Sequence, residues 1–141
     1  MILVVAAVIV DDLTEPTRLL AARRAGPGAL AGGWEFPGGK VEPGENPTAA
    51  LHRELDEELQ ITVDLGGELC HPGGGAWPIS AAGELRLWFA LISSGEPTPT
   101  GSHDELRWLA ADQLDTVDWL PADRAIIAEL AERILTPERR G

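Results

Sequence analysis

The chain has 141 residues, of which 44% are hydrophobic, and a formal net charge of −12. This size and composition predict a single domain, residues 1–141, with a buried core, and they exclude a disordered acidic tail. No basic patch suits a nucleic acid polymer, and an anionic small molecule would be repelled unless a cation intervened. The one cysteine, Cys70, cannot form an internal disulfide, so we expect a reducing, cytoplasmic compartment.

The first half of the chain begins with predicted strands. Met1–Val10 is apolar but too short to span a bilayer, and it lacks the basic region and cleavage site of a signal peptide. It therefore predicts a buried strand and no membrane association. Arg18–Arg24 predicts a second strand. The glycine-rich residues 25–33 are either a mobile flap or a long connection, and Trp34 on the next strand is expected to be a core aromatic.

Residues 46–60 predict a helix. Asn46 is a favoured N-cap, and Pro47 suits the first helical position because no N–H is needed there. Leu51, Leu55 and Leu59 recur every four residues and form one apolar stripe. The helix is therefore expected to pack against a core along that stripe.

The same helix carries a cluster of acidic side chains. Glu54, Glu57 and Glu58 gather on one face, where like charges repel by roughly a few tenths of a kcal/mol per pair. One interpretation is a solvated acidic face with Arg53 and Glu57 as an ordinary ion pair. The other is a site for a hard divalent cation such as Mg²⁺. The Gly38-Gly39 turn favours the cation site because glycine lets the backbone approach a ligand closely.

The segment from Gly39 resembles the signature of the Nudix hydrolases. That signature is Gly, five residues, Glu, seven residues, Arg-Glu, an aliphatic residue, any residue, Glu-Glu, any residue, Gly and an aliphatic residue. The matching residues are Gly39, Glu45, Arg53, Glu54, Leu55, Glu57, Glu58 and Ile61. Gln60 stands where the family has Gly. Gly commonly supplies a left-handed helix end, so we expect this difference to affect stability or geometry rather than chemistry.

The resemblance implies a fold, a reaction and a set of site residues. The fold would be a Nudix-type α/β/α sandwich with a mixed sheet between helices, in a monomer or small homo-oligomer. The reaction would be the hydrolysis of a nucleoside triphosphate to the monophosphate and pyrophosphate, with Mg²⁺ as the cofactor and Mn²⁺ able to substitute. The implied metal ligands are the Gly38 carbonyl, Glu54, Glu57 and Glu58. Arg53 would orient the carboxylates, and the general base stays open among Glu57, Glu54 and Glu105.

The run from Trp34 to Lys40 resembles the MutT type within that family. In this type, the residue matching Arg23 lies near the nucleotide and the one matching Phe36 packs near the base. Arg23 could equally be a solvated strand end. Lys40 is the only lysine of the chain, and it either neutralises phosphate or carboxylate charge or forms a plain surface ion pair.

The second half of the chain predicts strands at 61–70 and 84–92. On the latter, Arg86 and Trp88 share a face with Ala90, and this face either lines a pocket that holds phosphate and base or packs as core or surface. The other face is expected to be core, with Leu85, Leu87, Phe89 and Leu91.

Residues 102–109 resemble the family's His-x-x-Leu-x-Trp step into its last strand. An acidic residue there often completes the metal site or acts as base, and Asp104 and Glu105 are both available. His103 is either a hydrogen-bonded loop residue or a contact of the substrate.

Asp123 is a candidate reader of the base. It precedes a predicted final helix, Arg124–Leu135, with Pro137 as its end and with core residues Ile126, Ile127, Leu130 and Ile134. Asp123 could be a first-turn acid favoured by the helix dipole. In the family's 8-oxoguanine-preferring form Asn usually stands here, and a relative that hydrolyses CTP and dCTP shares the Pro-Ala-Asp pattern.

The chemistry of Asp123 leaves two substrates open. A carboxylate only accepts hydrogen bonds, so it suits the amino group of cytosine unless it is protonated. The expected substrates are therefore (d)CTP or a modified cytidine nucleotide, 8-oxo-dGTP, or both. The alternatives are a binding module with little turnover and a hydrolase of another nucleoside diphosphate derivative.

Overall fold

The computed structural model describes residues 2–81 and 83–132. The strands are β1 (Ile2–Ile9), β2 (Arg18–Arg24), β3 (Trp34–Glu35), β4 (Gly38–Lys40), β5 (Thr62–Glu68), β6 (Trp77–Ser80), β7 (Gly83–Ser94) and β8 (His103–Ala110). The helices are α1 (Pro47–Leu59) and α2 (Pro121–Leu130), with a short 3-10 turn at Ala111–Gln113. The predicted end of the last helix, with Ile134, Leu135 and Pro137, lies outside the described residues.

The strands form two sheets. The larger has the order β4-β1-β7-β5, with β6 also paired to β7. Its central pair, β1 and β7, is parallel and the other pairs are antiparallel, so the predicted mixed sheet is confirmed. The smaller sheet, β3-β2-β8, is antiparallel. An isolated bridge between Val10 and Leu19 joins the two sheets at the end of β1.

β1 lies at the centre of the core and is covered on both faces. Val5, Ala7 and Ile9 pack with the buried leucines of α1. The alternate residues, from Ala6 to Val10, pack with Ile126 and Leu130 of α2. A strand buried on both faces has no polar alternation, which explains the continuous apolar run in the sequence. The layered α/β/α arrangement is therefore the predicted one.

α1 has the predicted boundaries. The Asn46 side chain accepts hydrogen bonds from the N–H groups of Thr48 and Ala49, and Pro47 occupies the first turn. The stripe of Leu51, Leu55 and Leu59 is fully buried. The cap and the stripe together fix where α1 starts and which face points inward, so the opposite acidic face points away from the core.

Gln60 closes α1 in a left-handed conformation, with φ 60° and ψ 40°. Its N–H donates to the Asp56 carbonyl at 3.0 Å. Among the described residues it is the one non-glycine residue with a positive φ. This is the conformation that glycine adopts without steric cost.

α2 begins three residues earlier than the sequence predicted, at Pro121 rather than Arg124. Asp123 thus lies within its first turn, and Ile126 and Leu130 are buried as expected. None of the helices in the described part of the chain combines the length and apolar character needed to cross a membrane.

Candidate active site

A cavity of about 510 Å³ opens between the β1–β4 edge and the start of α2. Its volume lies within the range of small-molecule sites, roughly 300–1,000 Å³. One group of lining residues belongs to the glycine turn and α1: Gly38, Gly39, Lys40 and Glu58. A second group comes from β2, β3 and α2: Arg24, Glu35, Phe36 and Asp123. Of the predicted site residues, the cavity therefore brings together Gly38, Lys40, Glu58, Phe36 and Asp123.

The glycine turn is pressed between β1 and α1. Gly38 and Gly39 pair with Ala6 and Val5 of β1. A Cβ on Gly38 would overlap the Val5 carbonyl oxygen, and one on Gly39 would overlap the Glu54 carboxyl group. Glycine is thus required at Gly38, where a Cβ would meet backbone, and at Gly39 it brings the backbone of β4 directly against a carboxylate of α1.

Arg53 holds the acidic cluster together. Its guanidinium donates to both Glu45 oxygens at 2.8 and 3.0 Å, to Glu54 Oε1 at 2.8 Å, and to the Lys40 carbonyl at 3.2 Å. Its contact with Glu57 is longer, at 3.3 Å. The Arg53 hydrogen bond lowers the pKa of Glu45 to about 2, and the bonds to Glu45 and Glu54 raise the pKa of Arg53. Arg53 is therefore bound mainly to Glu45 and Glu54, rather than forming one helical ion pair with Glu57.

The three carboxylates of α1 differ in exposure. The side chain of Glu57 is 59% exposed, whereas those of Glu54 and Glu58 are 15% and 19% exposed. Glu58 Oε2 is buried and has no hydrogen-bond partner among the described residues. Burial raises the pKa of Glu58, and the charge of His103 opposes this shift.

These groups fit a hard divalent cation. Glu54 lies against the space left by the missing Cβ of Gly39, Glu58 lines the cavity, and oxygen donors are the ligands that Mg²⁺ and Mn²⁺ take. Within residues 2–81 and 83–132, no three His, Cys, Asp or Glu side chains already converge on one point. A cation would therefore have to draw the carboxylates of α1 together, which relieves their mutual repulsion.

His103 is buried behind the cavity instead of lining it. Its side chain is 1% exposed, with Nε2 2.8 Å from Glu35 Oε2 and Nδ1 3.7 Å from Glu58 Oε2. Glu35 also accepts from Arg24 Nη1, at 3.3 and 3.4 Å. The geometry therefore places His103 between two carboxylates, and this differs from the predicted contact with substrate.

Asp123 belongs to the second group of lining residues and is 7% exposed. Burial raises its pKa to about 7, helped by the charge of Glu35 and opposed by a hydrogen bond from the Phe36 backbone N–H. Phe36 packs against Trp119, with ring centroids 5.1 Å apart. Asp123 therefore holds its proton more tightly than an ordinary aspartic acid, beside an aromatic surface.

Arg24, not Arg23, lines the cavity. Arg23 donates to Asp104 at 2.7 Å and lies 3.4 Å from Glu105. Successive residues of a strand point to opposite faces, so Arg24 is directed to the other side. The register between β2 and β8 also shifts between these two arginines. Arg23 is therefore ion-paired at a partly exposed strand end, which agrees with the second of its two interpretations, and its contact with a nucleotide stays a prediction.

Glu105, predicted as a candidate base, is bound elsewhere. It accepts from Arg107 Nη2 at 2.7 Å and pairs with Arg23. Its side chain is 35% exposed, and it is not one of the cavity-lining residues that the structure describes. Its partners are therefore arginines of β8 and β2 rather than the carboxylates of α1.

Arg86 and Trp88 are also not among the described lining residues. Arg86 donates to both oxygens of Glu68, at 2.9 and 3.0 Å, and lies 4.8 Å from the centre of the Trp88 ring. Trp88 is 8% exposed and packs in the core beside α1. Both faces of β7 contribute residues to the buried core, so the structure favours packing over a pocket wall for the face of Arg86 and Trp88.

The lining residues that were not singled out from the sequence include Arg24, Leu30, Glu35 and Ile79. Leu30 and Ile79 are exposed large hydrophobic residues at the cavity. Glu35 follows a buried Trp34 and precedes a buried Phe36, a pattern that gives no sign of a shared cavity. The position of Arg24 depends on a register shift, which leaves no signal in the sequence.

The fold and this site define a Nudix hydrolase. A model of the NUDIX domain matches residues 2–130, so the chain belongs to the Nudix family. A Mycobacterium tuberculosis protein, provisionally named 8-oxo-dGTP diphosphatase 2, is 42% identical over 134 residues, covering 94% of this chain and 89% of that protein.

A sequence and a solved structure from Escherichia coli are also similar to this chain. The CTP pyrophosphohydrolase is 50% identical over 66 residues, covering 47% of this chain and 46% of that protein. The solution structure of the ORF135 protein has a TM-score of 0.71 and 33% identity, and covers 97% of this chain and 94% of that one.

Proposed function

We propose that this chain hydrolyses nucleoside triphosphates to the monophosphate and pyrophosphate, with Mg²⁺ or Mn²⁺ at α1. The observation that carries the proposal is the shared cavity. It is lined by Glu58 and Lys40 beside the glycine turn, and also by Phe36 and Asp123. A cation and phosphate can bind at the first group while a base contacts the second.

Each group has a distinct task in this proposal. Glu54 and Glu58 hold the cation together with Glu57 and the Gly38 carbonyl, and Arg53 keeps Glu54 oriented through its 2.8 Å hydrogen bond. When bound, the cation polarises the phosphates and lowers the pKa of the attacking water.

The positions of the side chains in the structure suggest candidates for the general base and for the phosphate contact. Because Glu105 is bound to two arginines, Glu54 and Glu57 are the better candidates for the base. Lys40 neutralises phosphate charge in a chain that is otherwise strongly acidic.

The first candidate substrate is 8-oxo-dGTP. A relative with that activity in its name matches 94% of this chain. The neutral form of Asp123 both donates and accepts a hydrogen bond, as Asn does at this place in the 8-oxoguanine-preferring form. Phe36 supplies an aromatic face for the oxidised purine.

The second candidate substrate is (d)CTP or a modified cytidine nucleotide. The ionised form of Asp123 accepts from the exocyclic amino group of cytosine. The similarity to a CTP pyrophosphohydrolase, over 66 residues, also favours this reading. Other nucleoside diphosphate derivatives, and binding with little turnover, stay as alternatives.

We further propose that the enzyme works as one domain in the cytoplasmic nucleotide pool, as a monomer or small homo-oligomer. The single cysteine agrees with a reducing compartment. The family match extends over residues 2–130, which leaves little of this chain outside one domain.

The test is pyrophosphate release from 8-oxo-dGTP, dGTP, dCTP and CTP with Mg²⁺, at pH 6 and pH 8.5. We expect the kcat/KM ratio of 8-oxo-dGTP to dCTP to fall as the pH rises through about 7, because Asp123 then loses its proton. In Asp123→Asn the ratio should stay constant and favour 8-oxo-dGTP.

Two outcomes would contradict the proposal. A ratio in the wild-type enzyme that does not change with pH would remove Asp123 from base recognition. No pyrophosphate from any of the four nucleotides would reject triphosphate hydrolysis, and the search would move to other nucleoside diphosphate derivatives.

A further inference from the structure

Two polar atoms without partners face each other in the interior, beside the cavity. Glu58 Oε2 and His103 Nδ1 are both buried without a hydrogen-bond partner among the described residues, and they are 3.7 Å apart. This distance is longer than that of a normal hydrogen bond, but by less than about 1 Å. Buried polar atoms almost always have a partner, and one hydrogen bond between these two satisfies both, provided that Nδ1 carries a proton as well as Nε2, so that the ring donates to both carboxylates.

The two oxygens of Glu58 have different surroundings. Oε1 accepts from the Ser102 hydroxyl at 3.0 Å, and Ser102 lines the cavity together with Glu58. Oε2 is fully buried on the side of His103. Oε1 is therefore the oxygen available to a ligand in the cavity, and Oε2 points into the interior, towards His103.

The imidazole itself is anchored on the far side. Nε2 of His103 donates to Glu35 Oε2 at 2.8 Å, since a carboxylate can only accept. Glu35 is fixed in turn by Arg24, and both line the cavity. His103 thus has a fixed ring whose Nδ1 points at Glu58.

We propose that His103 is a positioning residue that holds Glu58 through Nδ1, with Glu35 as its anchor, so that Oε1 of Glu58 is presented to the cation. This inference rests on the proposed function, because it needs a cation at Glu58. It assigns His103 to the support of a metal ligand, not to contact with nucleotide. Partners of this kind typically change metal affinity by about 10–100-fold when they are removed.

Two substitutions separate the ring nitrogens. The amide of His103→Asn reaches the place of Nδ1, and the amide of His103→Gln reaches that of Nε2. The probe is Mn²⁺ alone, with free Mn²⁺ measured by electron paramagnetic resonance in the absence of nucleotide. We expect His103→Gln to weaken Mn²⁺ binding about tenfold or more, and His103→Asn to stay within about threefold of the wild type. The matched control is His52→Asn, an exposed histidine on α1.

The outcomes separate positioning from a purely structural role. Unchanged Mn²⁺ affinity in both His103 variants, an equal loss in both, or a loss confined to His103→Asn would overturn the inference. Thermal melts of the same variants report changes in folding independently. If the wild type binds Mn²⁺ and releases pyrophosphate while the variants do not differ, only the positioning role fails. If the wild type does neither, the proposed function fails with it.

A second measurement uses the unaltered protein and does not depend on variants that fold. The chain has three histidines, and their ring nitrogens can be followed by ¹⁵N nuclear magnetic resonance as Mg²⁺ is added. We expect the Nδ1 signal of His103 to shift, while the signals of His52 and His71 stay unchanged. A constant His103 signal, at Mg²⁺ concentrations that support turnover, would contradict the proposal.

Discussion

Gln60 has a strained backbone conformation that a glycine at the same position would adopt without strain. It adopts φ 60° at the end of α1, a conformation that is unfavourable for a residue with a Cβ. We expect Gln60→Gly to raise the free energy of unfolding by about 0.5–1 kcal/mol, after allowance for the greater freedom of glycine in the unfolded chain. Urea denaturation measures this change.

The control for that prediction is Gln60→Ala, which removes the side chain but keeps the Cβ. It should give no gain in stability, and catalytic rates should stay close to the wild type in both variants. A glycine variant no more stable than the wild type would show that the left-handed end of α1 carries no cost.

Asp123 should make stability depend on pH. Its pKa is about 7 in the folded protein and 3.8 as the ordinary value, because burial disfavours the charged form. The favourable contribution of the neutral acid is therefore complete below about pH 4 and is lost as the pH rises to about 7. We expect Asp123→Asn to match the wild type near pH 4 and to be more stable at pH 8 by on the order of 4 kcal/mol.

Denaturation curves between pH 4 and pH 8 measure this difference, with Asp118→Asn as the matched control. Asp118 is close to α2 in the sequence, and its side chain is 87% exposed. Its variant should therefore follow the wild type at every pH. A gap between Asp123→Asn and the wild type that stays constant with pH would rule out titration of Asp123 in this range.

At the scale of elements, one face of α1 stabilises the fold and the opposite face carries the proposed metal ligands. Its buried stripe of leucines packs against β1, while Glu57 is 59% exposed and contacts Arg53 at 3.3 Å. We expect Glu57→Gln to lower pyrophosphate release by about a hundredfold or more and to leave the melting temperature nearly unchanged, because no buried contact is lost.

The matched control is Asp56→Asn, the same chemical change at the neighbouring exposed position of α1. It should retain nearly full turnover. Near-normal turnover in Glu57→Gln would remove Glu57 from the set of metal ligands, and the cation would then depend on Glu54, Glu58 and backbone oxygens.

Elements with local signals were predictable from the sequence, and contacts between distant elements were not. α1 was predicted because Asn46, Pro47 and three leucines lie within one segment, and β1 because its apolar run is continuous. Arg24 was not considered because the register shift between β2 and β8 next to it leaves no signal in the sequence. The pocket and packing interpretations of Arg86 and Trp88 stayed open because the sequence does not show what lies against each face of β7.

For the whole molecule, the net charge of −12 is a source of self-repulsion. Screening should raise the melting temperature as NaCl increases from about 20 to about 200 mM. Mg²⁺ at the same ionic strength should raise it further, because a ligand that binds only the folded state stabilises that state. Differential scanning calorimetry measures both effects.

A double variant, Glu54→Gln with Glu58→Gln, separates the two effects. It should keep its response to NaCl and lose the additional response to Mg²⁺. Equal melting temperatures for the wild type in the two salts would mean that Mg²⁺ acts on this protein only as a screening ion.

The parallel pairing of β1 and β7 also affects how the protein is made. Ile2 pairs with Gly83 and Ile9 with Ala90, so β1 leaves the ribosome long before its parallel partner β7 is synthesised. Until then only the short strand β4 can pair with β1, and a chaperone could bind the apolar side chains that stay uncovered. Asp123 comes later still. If Asp123 reads the base as proposed, nucleotide selectivity can arise only after both β7 and the start of α2 have been made, and a chain interrupted before β7 would be both inactive and prone to aggregate.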